Sequence, residues 1–348
     1  MKREGYVFEK IANKANIQSA IIKSSKGKTK RKEVQKILNN FDYYVDSIYN
    51  MLINKSYIPS EYRISVIYDA LNKKNRTISK PKYYPDQIIH YCLINILEPI
   101  LVRKMYIYSC GSISKRGTSY GYKHLRKWLD NDVKGTKYCL KMDIKKFYPS
   151  IDKDILKNKF ERIIKDKNCL WLINIIIDSN KDGIPLGNYT SGFFSNYFLT
   201  GLDFYIKEKL KPQHYLRYVD DLVILHSNKR QLHQMLVNID KYLKAENLLL
   251  KKNYQIFNIS VRDIDFLGYR FFRNKTILRK RNMIRISRRV QSIYKKKTII
   301  FKDACAMVSY NGWILNSDSY HFYNCRIKQF VKIQTMKQII SVYAKNNN

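Results

Sequence analysis

The feature that most constrains this chain is a pair of consecutive aspartates, Asp220 and Asp221, set in the run LRYVDDLVIL. Apolar residues flank the pair on both sides, so residues 216–225 read as a short hairpin that enters a core. Adjacent carboxylates in such surroundings are costly unless cations share their charge. Mg²⁺ takes oxygen ligands and tolerates neighbouring carboxylates, so the pattern asks for a divalent ion. A further carboxylate, Asp143, ends another apolar strand in KMDIKKFYPSID. Three carboxylates of this kind hold two Mg²⁺ ions for in-line phosphoryl transfer. One ion activates an attacking 3′-hydroxyl and the other stabilises the leaving pyrophosphate. An ordinary acidic turn is the plain alternative for a lone Asp-Asp pair. It leaves the apolar flanks and the second Asp-terminated strand unexplained.

The charge balance points the same way. Lys and Arg number 66 against 28 Asp and Glu, for a net charge of +38 spread over 348 residues. An AT-rich genome would explain Lys in place of Arg, but not the scarcity of acidic residues. A polyanion that shares the charge would, and nucleic acid is the usual one. The 45% apolar content is enough for a sizeable core and argues against a disordered tail. The six cysteines contain no C-x-x-C pair and the six histidines no ligand-spaced pair, so neither zinc nor a disulfide framework is indicated. No secretory h-region and no membrane-length apolar run is present, and a cytosolic protein with no membrane partner is expected.

Along the chain, residues 1–70 read as helical with a very basic run over 23–36. A basic, Pro-containing loop (SKPKYYPD) then leads into an apolar helix ending near residue 102, and a Gly/Ser-rich loop covers 109–121. Residues 137–144 read as a strand, 152–177 as helical and 183–187 as a tight loop opening another helix. Residues 263–272 read as a strand pair, and the chain beyond 276 as basic, aromatic and mainly helical. The expected class is α+β with a helical appendage. Four segments follow: a basic helical extension over 1–73, then 74–136, a catalytic body over 137–275, and a basic helical tail over 276–348.

With these residues in view the sequence resembles the reverse transcriptases. Tyr218-Val219-Asp220-Asp221 resembles motif C of that family, and Asp143 with Phe147 and Tyr148 resembles motif A. Lys74 and Arg76, before ISKP, resemble the fingers residues that grip the incoming triphosphate. DQIIH at 86–90 resembles the start of the following fingers helix. GIPLGNYTSGFFSN at 183–196 resembles motif B, which supports the template and the new base pair. Lys251 and Lys252 stand where motif D carries its lysine, and Phe266-Leu267-Gly268-Tyr269 resembles the primer grip. The resemblance implies a right-hand polymerase with fingers, an antiparallel-sheet palm and a helical thumb. It implies Asp143, Asp220 and Asp221 as catalytic residues, and Asp143, Ile144, Asp220 and Asp221 as ligands of two Mg²⁺ ions, with Mn²⁺ as a substitute. Lys74, Arg76, Tyr148, Leu186, Gly187 and Lys251 would bind the dNTP. Tyr148, five residues after Asp143, would be the aromatic gate against a 2′-hydroxyl, with Phe147 a core aromatic. Leu186 stands where many accurate polymerases carry glutamine, so it reads either as relaxed selectivity or as plain packing.

The nearest look is to the diversity-generating retroelement and defence-associated enzymes of bacteria, through GIP-x-GN-x-TS, FLGYR and a compact basic tail with Gly312-Trp313. Two departures lead toward the defence-associated branch. Motif B has Ser191-Gly192 where Ser-Gln is usual, and the loop SCGSISKRG lacks an expected arginine that Lys115 or Arg116 would replace. No maturase, endonuclease or RNase H segment is expected. In the tail, Arg279, Lys280, Arg281, Arg285, Arg288 and Arg289, followed by Lys295-Lys296-Lys297, recur at near-helical spacing suited to phosphates. The expected partners are a structured noncoding RNA template, its cDNA product and dNTPs, with a partner protein or homo-oligomer left open. The rivals are retroelement diversification, an RNA-dependent RNA polymerase, which an aromatic at Tyr148 disfavours, and a silent RNA-binding scaffold, which three intact aspartates disfavour.

Overall fold

A computed structural model describes residues 3–69, 74–296 and 298–345. Its contacts gather the chain into two compact units that do not follow the four consecutive segments. The first comprises Met1–Gly117, Lys141–Val223 and His233–Tyr254; the second comprises Thr118–Leu140, Ile224–Leu232 and Gln255–Asn348. The chain mixes helices with three sheets, which bears out the α+β class.

Among the described residues ten strands are present: β1 (Arg63–Asp69), β2 (Lys74–Lys80), β3 (Ser109–Cys110), β4 (Tyr138–Asp143), β5 (His214–Tyr218), β6 (Asp221–His226), β7 (Gln255–Asn258), β8 (Ile264–Phe266), β9 (Tyr269–Phe271) and β10 (Thr276–Leu278). One five-stranded sheet runs in the order β3-β5-β6-β4-β7. Its central strands are apolar because both faces are covered: Leu222, Val223, Ile224 and Leu225 of β6 and Cys139, Leu140 and Met142 of β4 are all buried. β5 and β6 form the expected hairpin, joined by the two-residue turn Val219-Asp220. Consecutive strands with so short a connection must be antiparallel.

In the first unit the helix Ile88–Val102 is apolar almost all round and buries nine of its side chains. The helix Lys14–Ser25 packs on it, and Asn16 fixes the contact by donating to the Cys92 carbonyl (3.0 Å). The stretch expected as one helix over 152–177 is two, Lys153–Glu161 and Lys167–Asp178. Each begins at an aspartate, Asp152 and Asp166, whose side chain accepts from the first free backbone N–H groups.

Three expectations are corrected. Residues 63–69 and 74–80, expected as the end of a helical region and a loop, are the antiparallel pair of β1 and β2, with Arg63 opposite Lys80 and Ile67 opposite Arg76. Ile64, Val66 and Tyr68 share one face of β1 and all are exposed, so no burial alternation marked the strand. The Gly/Ser-rich loop ends at Gly117, four residues earlier than expected, because the helix Thr118–Asn131 begins there. Beyond residue 276 the chain first completes the second unit's three-stranded sheet, β10-β9-β8, before becoming helical.

Candidate active site

Asp143 is the last residue of β4, Asp220 lies in the turn after β5, and Asp221 opens β6. β4 and β6 are neighbours, and the Ile144 N–H donates to the Asp220 carbonyl (3.1 Å). Burial, and then the charge of Asp143, push the Asp220 carboxyl up to about 6, against Lys251 and Arg76, which pull it down. Lys251 Nζ stands 2.6 Å from Asp143 Oδ1, and its N–H donates to the Asp143 carbonyl (2.8 Å). Residues 249–251 are held there by the Ile144–Leu250 bridge and by the Lys145 N–H on the Leu249 carbonyl (2.7 Å). Lys141 Nζ is 3.6 Å from Asp221 Oδ2. Lys141 and Asp143 are two apart on β4 and share a face, so Asp221 reaches that face as well.

Among the described residues no three His, Cys, Asp or Glu side chains converge as a ready-made metal site. The expected three-carboxylate cluster is a facing pair, Asp143 and Asp220, with Asp221 beside Lys141. Unshielded carboxylates repel one another, and each lysine draws one aside. The donor set nevertheless fits a divalent cation: hard oxygen ligands on one face, with a carboxylate that burial and the Asp143 charge hold back from ionising. Ile144 has a buried apolar side chain, so only its backbone could serve such an ion.

Arg76 on β2 is exposed and close enough for its charge to lower the Asp220 pKa. Lys74 opens β2, but its side chain lies outside the described residues. Tyr148 lies in the short helix Phe147–Ser150, half-buried, and Phe147 is 2% exposed. Burial raises the Tyr148 phenol, a hydrogen bond with Ser195 opposes this, and the Asp220 charge adds to it. Ser195 of the helix Tyr189–Phe198 and Asp220 are thus both near Tyr148. Gly187, at φ 135°, passes so close to β2 that a Cβ would lie 2.3 Å from the Ser79 carbonyl oxygen. The Leu186 carbonyl accepts from the Ser79 N–H (2.9 Å), which sews the tight loop to β2. Tyr148, Leu186 and Gly187 line one cavity of about 600 Å³ with Ser112, Glu98 and Gly192.

Sequence reasoning missed Arg217, which stands three residues before Asp220. It is fully buried and bonds Asp203, Asn196, Ser109 and the Val219 carbonyl. The signal was a charged residue inside an apolar strand, which is seldom found unpaired. The loop of the second departure folds on itself: the Gly111 N–H donates to the Arg116 carbonyl (2.8 Å), and Arg116 Nη1 to the Tyr106 carbonyl (3.3 Å). Lys115 is the exposed cation of that loop.

In the second unit, Phe266 and Tyr269 are core residues, and Tyr269 packs on Tyr122 and Phe271. Of the four residues 266–269 only Leu267 and Gly268, in the turn between β8 and β9, are half-exposed. The Gly268 carbonyl is held by the Arg279 N–H and by Asn282 Nδ2, both at 3.0 Å. The tail arginines divide into two sets. Arg281, Arg285 and Arg288 are exposed at i, i+4 and i+7 of the helix Lys280–Tyr294, and Lys280 is exposed just before them. Arg279 is ion-paired with Asp265 (2.5 Å) and Arg289 with the buried Asp303 (2.6 Å), so these two serve the fold. Of the run 295–297, Lys296 pairs with Asp303 and Lys297 lies outside the described residues.

Paired strands thus bring a turn-borne and a strand-borne aspartate together, with Arg76 and Tyr148 near enough to exchange charge effects with Asp220. The family model "Reverse transcriptase (RNA-dependent DNA polymerase)" matches residues 67–271, well over half the chain, and the chain belongs to that family. Among relatives, it is 29% identical over 142 residues to the retron Ec48 reverse transcriptase of Escherichia coli, covering 39% of this chain. That match spans about a third (34%) of the relative's length. Among solved structures it is similar to a telomerase from Candida albicans in complex with a telomeric RNA fragment (14% identity, TM-score 0.48, 78% of this chain and 55% of that one). A truncated apo telomerase from Candida tropicalis gives 15% identity, TM-score 0.48, and 67% and 59% coverage.

Proposed function

We propose that this chain is an RNA-directed DNA polymerase that extends a DNA strand on an RNA template with dNTPs, using two Mg²⁺ ions that Mn²⁺ can replace. The observation that carries the reading is the Asp143–Asp220 pair, bonded backbone to backbone through Ile144, with Arg76 and Tyr148 at its edge. Bound divalent ions would supply charge for the 3′-hydroxyl and the departing pyrophosphate. The chain's own residues do the rest. Asp143, Asp220 and Asp221 hold the ions, Arg76 offers bidentate contact to a triphosphate, and Tyr148 fills the space a 2′-hydroxyl would need. Lys251, with Nζ 2.6 Å from Asp143 Oδ1, offsets that carboxylate's charge. The exposed stripe of Arg281, Arg285 and Arg288 suits phosphates of a primer–template duplex.

The test is primer extension on an RNA template by the wild type and by Asp220→Asn. Extension should vanish in the variant while RNA affinity, which rests on distant lysines and arginines, stays within about twofold. Near wild-type extension by Asp220→Asn would overturn the assignment.

The biological reading is antiphage defence in the cytoplasm, with one structured noncoding RNA as bound template. The net charge of +38 exceeds what one short duplex would neutralise, which favours a large, persistently bound RNA. The retroelement reading is separated by expressing the locus, challenging with phage and sequencing bound RNA and cDNA. Protection lost with Asp220→Asn supports defence, whereas adenine-specific mutations in a neighbouring gene with unchanged plating overturn it.

A further inference from the structure

Arg217 has no exposed surface, and a buried guanidinium is costly unless its donors are all engaged. They are. Nε and Nη2 reach the two oxygens of buried Asp203 (2.8 and 2.6 Å), Nη1 reaches Asn196 Oδ1 (2.9 Å), and Nη2 reaches Ser109 Oγ (2.7 Å). Asp203 alone balances the charge. Beyond that charge balance and the Asn196 and Ser109 bonds, Nη1 also donates to the Val219 carbonyl (2.8 Å).

That carbonyl belongs to a residue in an unfavourable conformation. Val219 has φ 56°, in the left-handed region, where a β-branched side chain is strained. Such a residue persists only where its surroundings hold it, and both sides of Val219 are held. Its N–H donates to the Cys110 carbonyl (3.1 Å), and its own carbonyl accepts from Arg217. The next residue is Asp220, tied onward to the end of β4 by Ile144. Asn196 belongs to the helix Tyr189–Phe198, and its Nδ2 also donates to the Gly111 carbonyl (2.7 Å).

We infer that Arg217 is a positioning residue for nucleotidyl transfer: by clamping the Val219 carbonyl it holds the turn in the form that sets Asp220 against Asp143. The Ser109 and Asn196 bonds tie this turn to the helix and loop that line the nucleotide-side cavity. A residue serving the fold alone would need the Asp203 pair but not the strained turn. The inference rests on the polymerase reading, and metal binding separates the failure of one from the failure of the other.

The experiment measures Mn²⁺ binding by electron paramagnetic resonance, thermal stability, and primer extension across Mg²⁺ concentrations. The proteins are the wild type, Arg217→Lys and Asn196→Ala, with Asp220→Asn as the metal-site control. Arg217→Lys keeps a cation for Asp203 but lacks the planar fork that reaches Val219 at the same time. It should bind Mn²⁺ at least tenfold more weakly and need correspondingly more Mg²⁺ for half-maximal extension, with dNTP KM within about twofold. Should that variant not fold, Asn196→Ala retains the Arg217–Asp203 pair and loosens the clamp, and should weaken Mn²⁺ binding three- to tenfold. Mn²⁺ binding at wild-type strength in either folded variant overturns the inference. A wild type that binds Mn²⁺ but never extends a primer sinks the polymerase reading and leaves the clamp to be judged on Mn²⁺ binding alone.

Discussion

Gly192 and Ser112 touch backbone to side chain: a Cβ built on Gly192 would lie 2.6 Å from both Cβ and Oγ of Ser112. Gly192 stands in the GIPLGNYTSGFFSN segment and Ser112 in the SCGSISKRG loop, so the two segments meet here and a side chain at 192 requires Ser112 to move. Both line the cavity that also holds Tyr148 and Leu186.

Gly192→Ala should cost about 1–3 kcal/mol of stability, in the range of overpacked cores. Ser112 has φ 54°, a conformation glycine adopts freely, so Ser112→Gly should recover much of the loss. A double-mutant cycle of thermal unfolding checks this, and additive effects would show that the contact is not shared.

Tyr148→Val should admit ribonucleotides that the wild type rejects. The phenol bonds Ser195 and is close enough to Asp220 to feel its charge, so shortening it opens space near the aspartates. Competition between dGTP and GTP in primer extension measures it. Unchanged sugar discrimination would move the gate elsewhere, with Phe147 an unpromising candidate because it is 2% exposed.

Asp220 should trade stability for function. Its folded pKa, about 6, lies above the ordinary carboxylate value of 3.8 because of burial and Asp143. A carboxyl raised on folding favours the folded state while it is protonated, and that advantage is lost as pH climbs from about 4 to about 6. In metal-free protein, Asp220→Asn should therefore melt higher than wild type at pH 7.5, and the gap should close near pH 4. Melting curves with chelator at both pH values decide it; a variant that melts lower at pH 7.5 would contradict it.

Adjacent arginines of the tail helix should behave oppositely. Arg288→Ala should leave melting unchanged, weaken RNA binding and reduce the salt slope by about one. Arg289→Ala should lower stability by about 1–3 kcal/mol, since Asp303 is buried and would keep only Lys296. Although burial raises the Asp303 carboxyl, the Lys296 bond and the Arg289 charge carry it below the ordinary range. Stability from this cluster is thus present above about pH 4 and lost as pH falls further, and Asp303→Asn should flatten that acid limb.

The catalytic strands were legible because their signal is local. Apolar runs around Asp143 and Asp220-Asp221 record burial residue by residue, and the ordered motifs carry the family resemblance in the sequence itself. The tail's basic helix was legible for the same reason, through its 3.6-residue spacing. The pair of β1 and β2 was not, because Ile64, Val66 and Tyr68 are exposed and leave no buried face for alternation to report. Nor could spacing divide Arg288 from Arg289, or place Asp221 beside Lys141. Arg217 is the clearest case. It stands in the motif itself, yet its partners Asp203, Asn196 and Ser109 lie 14, 21 and 108 residues away. Sequence periodicity states that a residue is inside; which donor meets which acceptor there depends on how distant segments cross, and only the folded chain decides that.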